Sequence, residues 1–241
     1  MSELLSFTHE HDGERLGCVR GDGGGPGAAT AVVLHGAGSG SKERLLPLLG
    51  EFAAHGCGTL ALDFSGHGES TGKLRELSLR RRYEQAVSVI DAHAPGAGSL
   101  ILVGFSMSGQ TVADLVRHYG ERVAAVGLCA PAVYAAEAWE VQFGDGDGLF
   151  SEIIRGRDSW RAAPALDVLR SYGGRAVLVV PGTDAVIPPA VTEAVEEALS
   201  ARATYTRLEL PDATHTLGLW FREHARARRE FVGAVLGSDA R

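Results

Sequence analysis

The stretch Ser99-Leu-Ile-Leu-Val-Gly-Phe-Ser106-Met-Ser-Gly109, followed by Gln110-Thr-Val-Ala-Asp-Leu-Val-Arg-His-Tyr119, decides how this chain is read. A short apolar run stops at glycine, a serine sits among small residues, and a helical segment begins. This is a strand, a sharp turn carrying one serine, and a helix. The turn lifts the Ser106 hydroxyl clear of the backbone and points the N–H groups at the helix start toward whatever the serine attacks. That arrangement makes and stabilises an acyl-enzyme.

Similar apolar runs recur on either side of this one. Strands are expected over 4–9, 14–20, 30–34, 58–62, 99–103, 123–129, 175–180 and 204–210, the first two as a hairpin around His11-Asp12-Gly13. Helices are expected over 42–55, 77–93, 110–119, 189–200 and 217–236. Continuous apolar strands alternating with helices predict a mostly parallel sheet covered on both faces, with ligands bound beyond the carboxyl ends of the strands. The segment 134–163 breaks the alternation and holds Trp139, Phe143, Phe150 and Trp160 around Gly144-Asp-Gly-Asp-Gly148. It reads as a short lid over the strand ends. Its aromatics either line an apolar substrate slot or hold the lid to the body. The glycine-rich run 21–27 precedes a strand and has no lysine, so it reads as a surface turn and not a phosphate cradle.

The chain has 241 residues and three cysteines, Cys18, Cys57 and Cys129. A chain this long buries roughly 70–75% of its unfolded surface and needs no disulfide staples. The cysteines are too few and too scattered for a disulfide framework or a zinc site, and their odd count suits a reducing compartment. A net charge of −7 argues against nucleic acid as the main partner. No apolar span is long enough to cross a bilayer, and the first ten residues lack the basic start and apolar core of a signal peptide. One cytoplasmic domain over 1–241 is expected, with no membrane partner, no metal and no cofactor. Oligomeric state is not legible.

The serine turn resembles the nucleophile elbow Gly-x-Ser-x-Gly of the α/β-hydrolase superfamily, with the departure that Ser108 stands at the fifth position and glycine only at 109. Three further stretches carry the same resemblance. Leu34-His-Gly-Ala-Gly-Ser-Gly40 resembles the family's His-Gly-x loop. Asp63-Phe-Ser-Gly-His-Gly-Glu-Ser70 resembles the Asp-x-x-Gly-His-Gly-x-Ser loop of serine aminopeptidase-like and feruloyl-esterase-like members. Pro181-Gly-Thr-Asp184-Ala-Val-Ile-Pro188 resembles the family's post-strand aspartate loop. The resemblance runs from about residue 29 to the C-terminal helix, the lid excepted. It implies an α/β-hydrolase fold with an eight-stranded sheet.

A serine hydroxyl needs a base and a carboxylate that orients the base. Of nine histidines, His215 stands directly after the last strand, where the superfamily places its catalytic histidine. Asp184 is the implied orienter, ahead of Asp212 and Glu137, and the order Ser106, Asp184, His215 is the superfamily's. The implied oxyanion donors are the backbone N–H groups of Met107 and Ala37. His35, Asp63, His67 and Ser70 read as loop architecture. Arg75 and the run Arg80-Arg-Arg82 read as exposed charge.

These residues imply a serine hydrolase acting on a carboxylic ester or a thioester, its partner a small acyl substrate. A serine nucleophile disfavours the dehalogenase and epoxide hydrolase branches, and a short lid disfavours proline-type aminopeptidases. The alternative is a non-hydrolytic enzyme of the same fold, performing acyl transfer, cyclisation, lyase or epimerase chemistry.

Overall fold

The eight apolar runs pair into one sheet. In the computed structural model, which describes residues 3–237 apart from 24, 26, 95 and 97, β1 (Leu4–His11) and β2 (Glu14–Gly21) form the expected hairpin. Its turn residues Asp12 and Gly13 both have positive φ, 48° and 75°, as a two-residue hairpin turn requires. The remaining strands are β3 (Thr30–Leu34), β4 (Gly58–Leu62), β5 (Leu100–Phe105), β6 (Val123–Cys129), β7 (Arg175–Thr183) and β8 (Thr204–Thr214). Their order is β1-β2-β4-β3-β5-β6-β7-β8. The β1–β2 and β2–β4 pairings are antiparallel and the others parallel. The surface turn expected over 21–27 includes two residues outside the described set.

The helices are α1 (Leu46–Ala54), α2 (Leu79–His93), α3 (Ser108–Tyr119), α4 (Leu149–Arg155), α5 (Pro164–Ser171), α6 (Pro189–Ser200), α7 (Leu217–Glu223) and α8 (Ala225–Leu236). Alternate strand residues feed two cores. Val32 and Leu34 pack with Ile90, Leu115, Leu169 and Val195 from α2, α3, α5 and α6. Ala31 and Val33 pack on the opposite face with Leu48, Phe221 and Phe231 from α1, α7 and α8. Both faces of the sheet are therefore covered in its centre, which is why β3, β4, β5 and β6 read as continuous apolar runs, whereas the outer β1 and β8 alternate with polar residues.

Most boundaries move by one or two residues from the sequence reading, and a few differ more. A 3₁₀ turn, Lys42–Leu45, precedes α1, which starts beside Pro47. The single C-terminal helix expected over 217–236 is two, broken at His224 (φ −113°, ψ 84°). The break lets Leu217 and Phe221 of one piece and Phe231, Val232 and Val235 of the other all be buried. Strands β7 and β8 continue past Val180 and Leu210 through Pro181 and Pro211. A register shift follows Pro181, and β8 is an edge strand, the two settings in which a strand tolerates proline. Among the described residues no helix is long and apolar enough to cross a membrane.

Candidate active site

Sheet register brings the chemistry-bearing loops together. Leu34 pairs with Gly104, so the loop after β3 leaves the sheet beside the serine turn after β5. Thr183 pairs with Thr214, so the next residues, Asp184 and His215, emerge side by side. Ser106 has φ 51°, a left-handed backbone that a non-glycine residue adopts only at a cost. Its surroundings hold it there. The Ser106 N–H donates to Cys129 O at 2.9 Å, and its carbonyl accepts from the Gly109 and Ala132 N–H groups at 2.8 and 2.9 Å. Glycine is demanded on both sides of the turn: a Cβ at Gly104 would lie 2.5 Å from Ser108 O, and one at Gly109 2.5 Å from Pro131 Cβ. The close approach that a fifth-position glycine supplies is thus made by Gly109.

His215 Nε2 lies 3.0 Å from Ser106 Oγ, and His215 Nδ1 lies 2.9 Å from Asp184 Oδ2. The other Asp184 oxygen accepts from the Val186 and Ile187 N–H groups at 2.8 and 2.9 Å. Those two bonds aim the carboxylate, and Asp184, not Asp212 or Glu137, is the carboxylate partner of His215. Such a chain moves a proton from a hydroxyl to an imidazole whose tautomer the carboxylate sets.

The loop after β3 is braced from below. His35 is fully buried, and burial beside the Arg82 charge pulls its imidazole well below the usual histidine range. It is therefore neutral: Nδ1 donates to Gly36 O at 2.6 Å and Nε2 accepts from the Phe64 N–H at 3.1 Å. A Cβ at Gly36 would sit 3.1 Å from Ser106 Cβ, so the loop backbone runs against the serine. Among the described residues, the Ala37 and Met107 N–H groups have no backbone acceptor. Asp63 is wholly buried. It accepts from the Lys42 N–H (2.7 Å), Lys42 Nζ (2.9 Å) and the Glu69 N–H (3.0 Å). Ser70 Oγ donates to Asp63 O at 2.6 Å, and His67 Nδ1 faces Ser65 O at 3.1 Å.

Arg82 departs from the exposed charge expected of it: it is 0% exposed. Its Nη2 donates to His35 O and to Ser108 Oγ, both at 2.8 Å, and Ser108 Oγ donates to His35 O at 2.6 Å. The guanidinium lies over the Phe64 ring at 3.7 Å, and burial pulls it down to about 9. Ser108 thus replaces the motif glycine with a hydroxyl that ties the serine turn to the loop after β3. The signal was present in the sequence, because Leu79, Arg82, Ala86 and Val89 repeat at the spacing of one helix face.

Two cavities flank the site. One, of about 120 Å³, is lined by Ser106, His215, Ala37, Arg44, Ser39 and Leu219 among others. The other, of about 610 Å³, lies beyond Ala37 and Met107 and is walled by Phe143, Phe150 and Ile154. The expected substrate-lining aromatics therefore divide. Phe143 and Phe150 meet on that wall, their rings 4.6 Å apart and tilted by 48°. Trp139 instead lines a separate hollow with Tyr134, Gln110 and Asp114 and packs on Tyr83. Trp160 lies outside both cavities flanking the site, with Arg161 over its ring at 4.5 Å. Both tryptophans are partly buried against the core, the second of the two arrangements the sequence leaves open for the lid aromatics.

A mostly parallel eight-stranded sheet with a serine turn after β5, an aspartate after β7 and a histidine after β8 defines an α/β-hydrolase. Within that class the chain belongs to the serine aminopeptidase family S33, whose family model matches residues 25–154. The match includes the loops around Ala37, Asp63 and Ser106 and ends before Asp184 and His215. Among solved structures, the chain is similar to Est1E from Butyrivibrio proteoclasticus with ferulic acid bound (17% identity, 96% of this chain and 100% of that one, TM-score 0.70). It is also similar to the thioesterase domain of the curacin biosynthetic pathway (15%, 98% and 100%, TM-score 0.70). A third similar structure is the esterase Pf2001 of Pyrococcus furiosus (18%, 98% and 94%, TM-score 0.65). These likenesses are of fold. A curated relative, the multifunctional-autoprocessing repeats-in-toxin of Vibrio cholerae, is 29% identical over 110 residues, 44% of this chain. The chain spans about 2% of that protein's length.

Proposed function

We propose that this chain is a serine hydrolase that cleaves a carboxylic ester or thioester through an acyl-enzyme. The observation that carries the reading is the continuous contact from Ser106 Oγ to His215 and on to Asp184, at 3.0 and 2.9 Å. In this reading Ser106 Oγ attacks the acyl carbon while His215 Nε2 takes its proton. Asp184 stays ionised and stabilises the imidazolium. In this reading the oxyanion is received by the Met107 and Ala37 N–H groups, which have no backbone acceptor among the described residues. His215 returns its proton to the leaving group. Water then enters, gives a proton to His215 and attacks the acyl carbon; as the acyl–Oγ bond breaks, His215 passes that proton to Ser106 Oγ, releasing the acid and restoring the hydroxyl.

The side chains of His215 and Asp184 keep 19% and 14% of their surface exposed, and in this reading water approaches the acyl-enzyme along that open side. This favours hydrolysis over transfer, which requires water to be excluded. Peptide cleavage after a free N-terminus calls for a carboxylate to hold the amine. The one carboxylate on the larger cavity, Asp145, lies 4.0 Å from Arg75. Steady-state hydrolysis of p-nitrophenyl esters and acyl thioesters tests the reading. Ser106→Ala and His215→Ala should each lower kcat by about 10³-fold or more, and Asp184→Asn by a similar order. Turnover that persists in Ser106→Ala contradicts it.

A further inference from the structure

Arg44 is the unpaired charge of the catalytic pocket. It follows the loop after β3, is half-buried, and lines the same 120 Å³ cavity as Ser106 and His215. Other cations bordering this face are matched by carboxylates: Lys42 by Asp63 and Glu69, Lys73 by Glu76, Arg75 by Asp145. Glu43, its sequence neighbour, turns to Lys42 at 3.8 Å. The only partner of the Arg44 guanidinium among the described residues is Ser39 Oγ, at 3.1 Å from Nη2. Ser39 lines the same cavity, as does Ser41. Arg155, which borders the larger cavity and is likewise without a carboxylate, is exposed and lies on the cavity that does not contain Ser106 or His215.

The two cavities differ in what they accept. The larger, about 610 Å³, has Met107, Phe143, Phe150 and Ile154 as an apolar wall that suits an apolar group, with Lys73, Arg75, Asp145 and Arg155 also on its lining. The smaller has room for only a few heavy atoms and presents a guanidinium fork, which matches a carboxylate in two parallel hydrogen bonds. Their assignment follows from the proton. The departing oxygen must lie against His215 Nε2 to be protonated, and His215 lines the small cavity and not the large one. The small cavity therefore holds the leaving group.

Resting on the hydrolase reading above, we infer that Arg44 recognises a carboxylate on the leaving group, and that the substrates are esters or thioesters joining an apolar acid to a short hydroxy- or mercapto-carboxylic acid. The acyl–oxygen or acyl–sulfur bond breaks, water supplies the hydroxyl of the released acid, and His215 delivers the proton to the departing oxygen or sulfur. The chain's net charge of −7 repels anions at long range, so a preference for a charged leaving group has to arise locally.

The test compares O-hexanoylglycolate with O-hexanoylglycolamide, the same shape without the charge, by hexanoate release. The native chain should turn over the glycolate ester with kcat/KM about tenfold higher or more, as a charge-assisted hydrogen bond of this kind implies. Arg44→Met should bring the ratio to about one, Arg44→Lys should keep part of it, and added salt should reduce it. The ratio is taken within each variant, so a general change in activity does not alter it. A ratio at or below one in the native chain, or one unchanged in Arg44→Met, overturns the inference while leaving the hydrolase reading standing. Absence of Ser106-dependent release from both esters overturns that reading and this inference with it.

Discussion

Ser106 carries both the proposed chemistry and the local strain. A left-handed φ costs a serine roughly 1 kcal/mol that glycine does not incur. Ser106→Gly should therefore unfold at higher urea than Ser106→Ala, by about 1 kcal/mol in a comparison of the two inactive variants. Equal stability would mean that the turn is unstrained. At this scale the sequence was most legible where a residue type has one chemical use: Ser106, Asp184 and His215 each stand alone in a loop after a strand. It was least legible at Arg82, where a run of three arginines suggested solvent. The helical spacing of Leu79, Arg82 and Ala86 places it inward, against His35 O and Ser108 Oγ. The lid aromatics stay open between two readings for a related reason. Composition shows that a lid is aromatic, but which of its faces each ring occupies depends on packing that no local pattern encodes.

At the scale of elements, the site depends on how far β7 and β8 stay paired. Both strands run through a proline to the Thr183–Thr214 pair, and that last pair delivers Asp184 and His215 to each other. Gly182 sits within this extension, where a Cβ would lie 2.0 Å from Pro211 O. Gly182→Ala must push the two strand ends apart. It should lower kcat/KM by ten- to a hundredfold, since misplacement of about 1 Å has that effect, while the far-ultraviolet circular dichroism stays close to native. Undiminished activity would show that the strand ends do not set the Asp184–His215 distance. Strand existence was legible from apolar runs, and strand ends were not. Proline reads as a stop in sequence, but at a register shift and on an edge strand it is accommodated. The break at His224 was illegible for the opposite reason, because neither proline nor glycine marks it. It follows from the need of α7 and α8 to bury different faces.

For the molecule as a whole, one buried acid in α3 works against stability. Asp114 is 3% exposed, and burial pushes its carboxyl up to about 6 from the ordinary 3.8, against the opposing pull of Gln110 and Arg117. Between those values the folded chain holds a proton that the unfolded chain has released, so this group's contribution to stability falls as pH rises through the window. Asp114→Asn, which cannot ionise, should match the native chain near pH 4 and exceed it at pH 7.5 by about 1 kcal/mol or more in urea unfolding. A gap that does not grow with pH would place the ionisation cost elsewhere. The mostly parallel sheet and its two covering cores follow from continuous apolar strands alternating with helices, and this was the part of the whole most fully written in the sequence. The pairing of one large apolar cavity with one small cationic one was not, since it depends on which loops meet beyond the sheet.

The most direct measurement is mass spectrometry of the intact protein after reaction with a fluorophosphonate, followed by peptide mapping. A single adduct is predicted on Ser106, absent in Ser106→Ala and formed at least about 10³-fold more slowly in His215→Ala. Labelling that survives in Ser106→Ala, or that proceeds at the native rate without His215, would contradict the account.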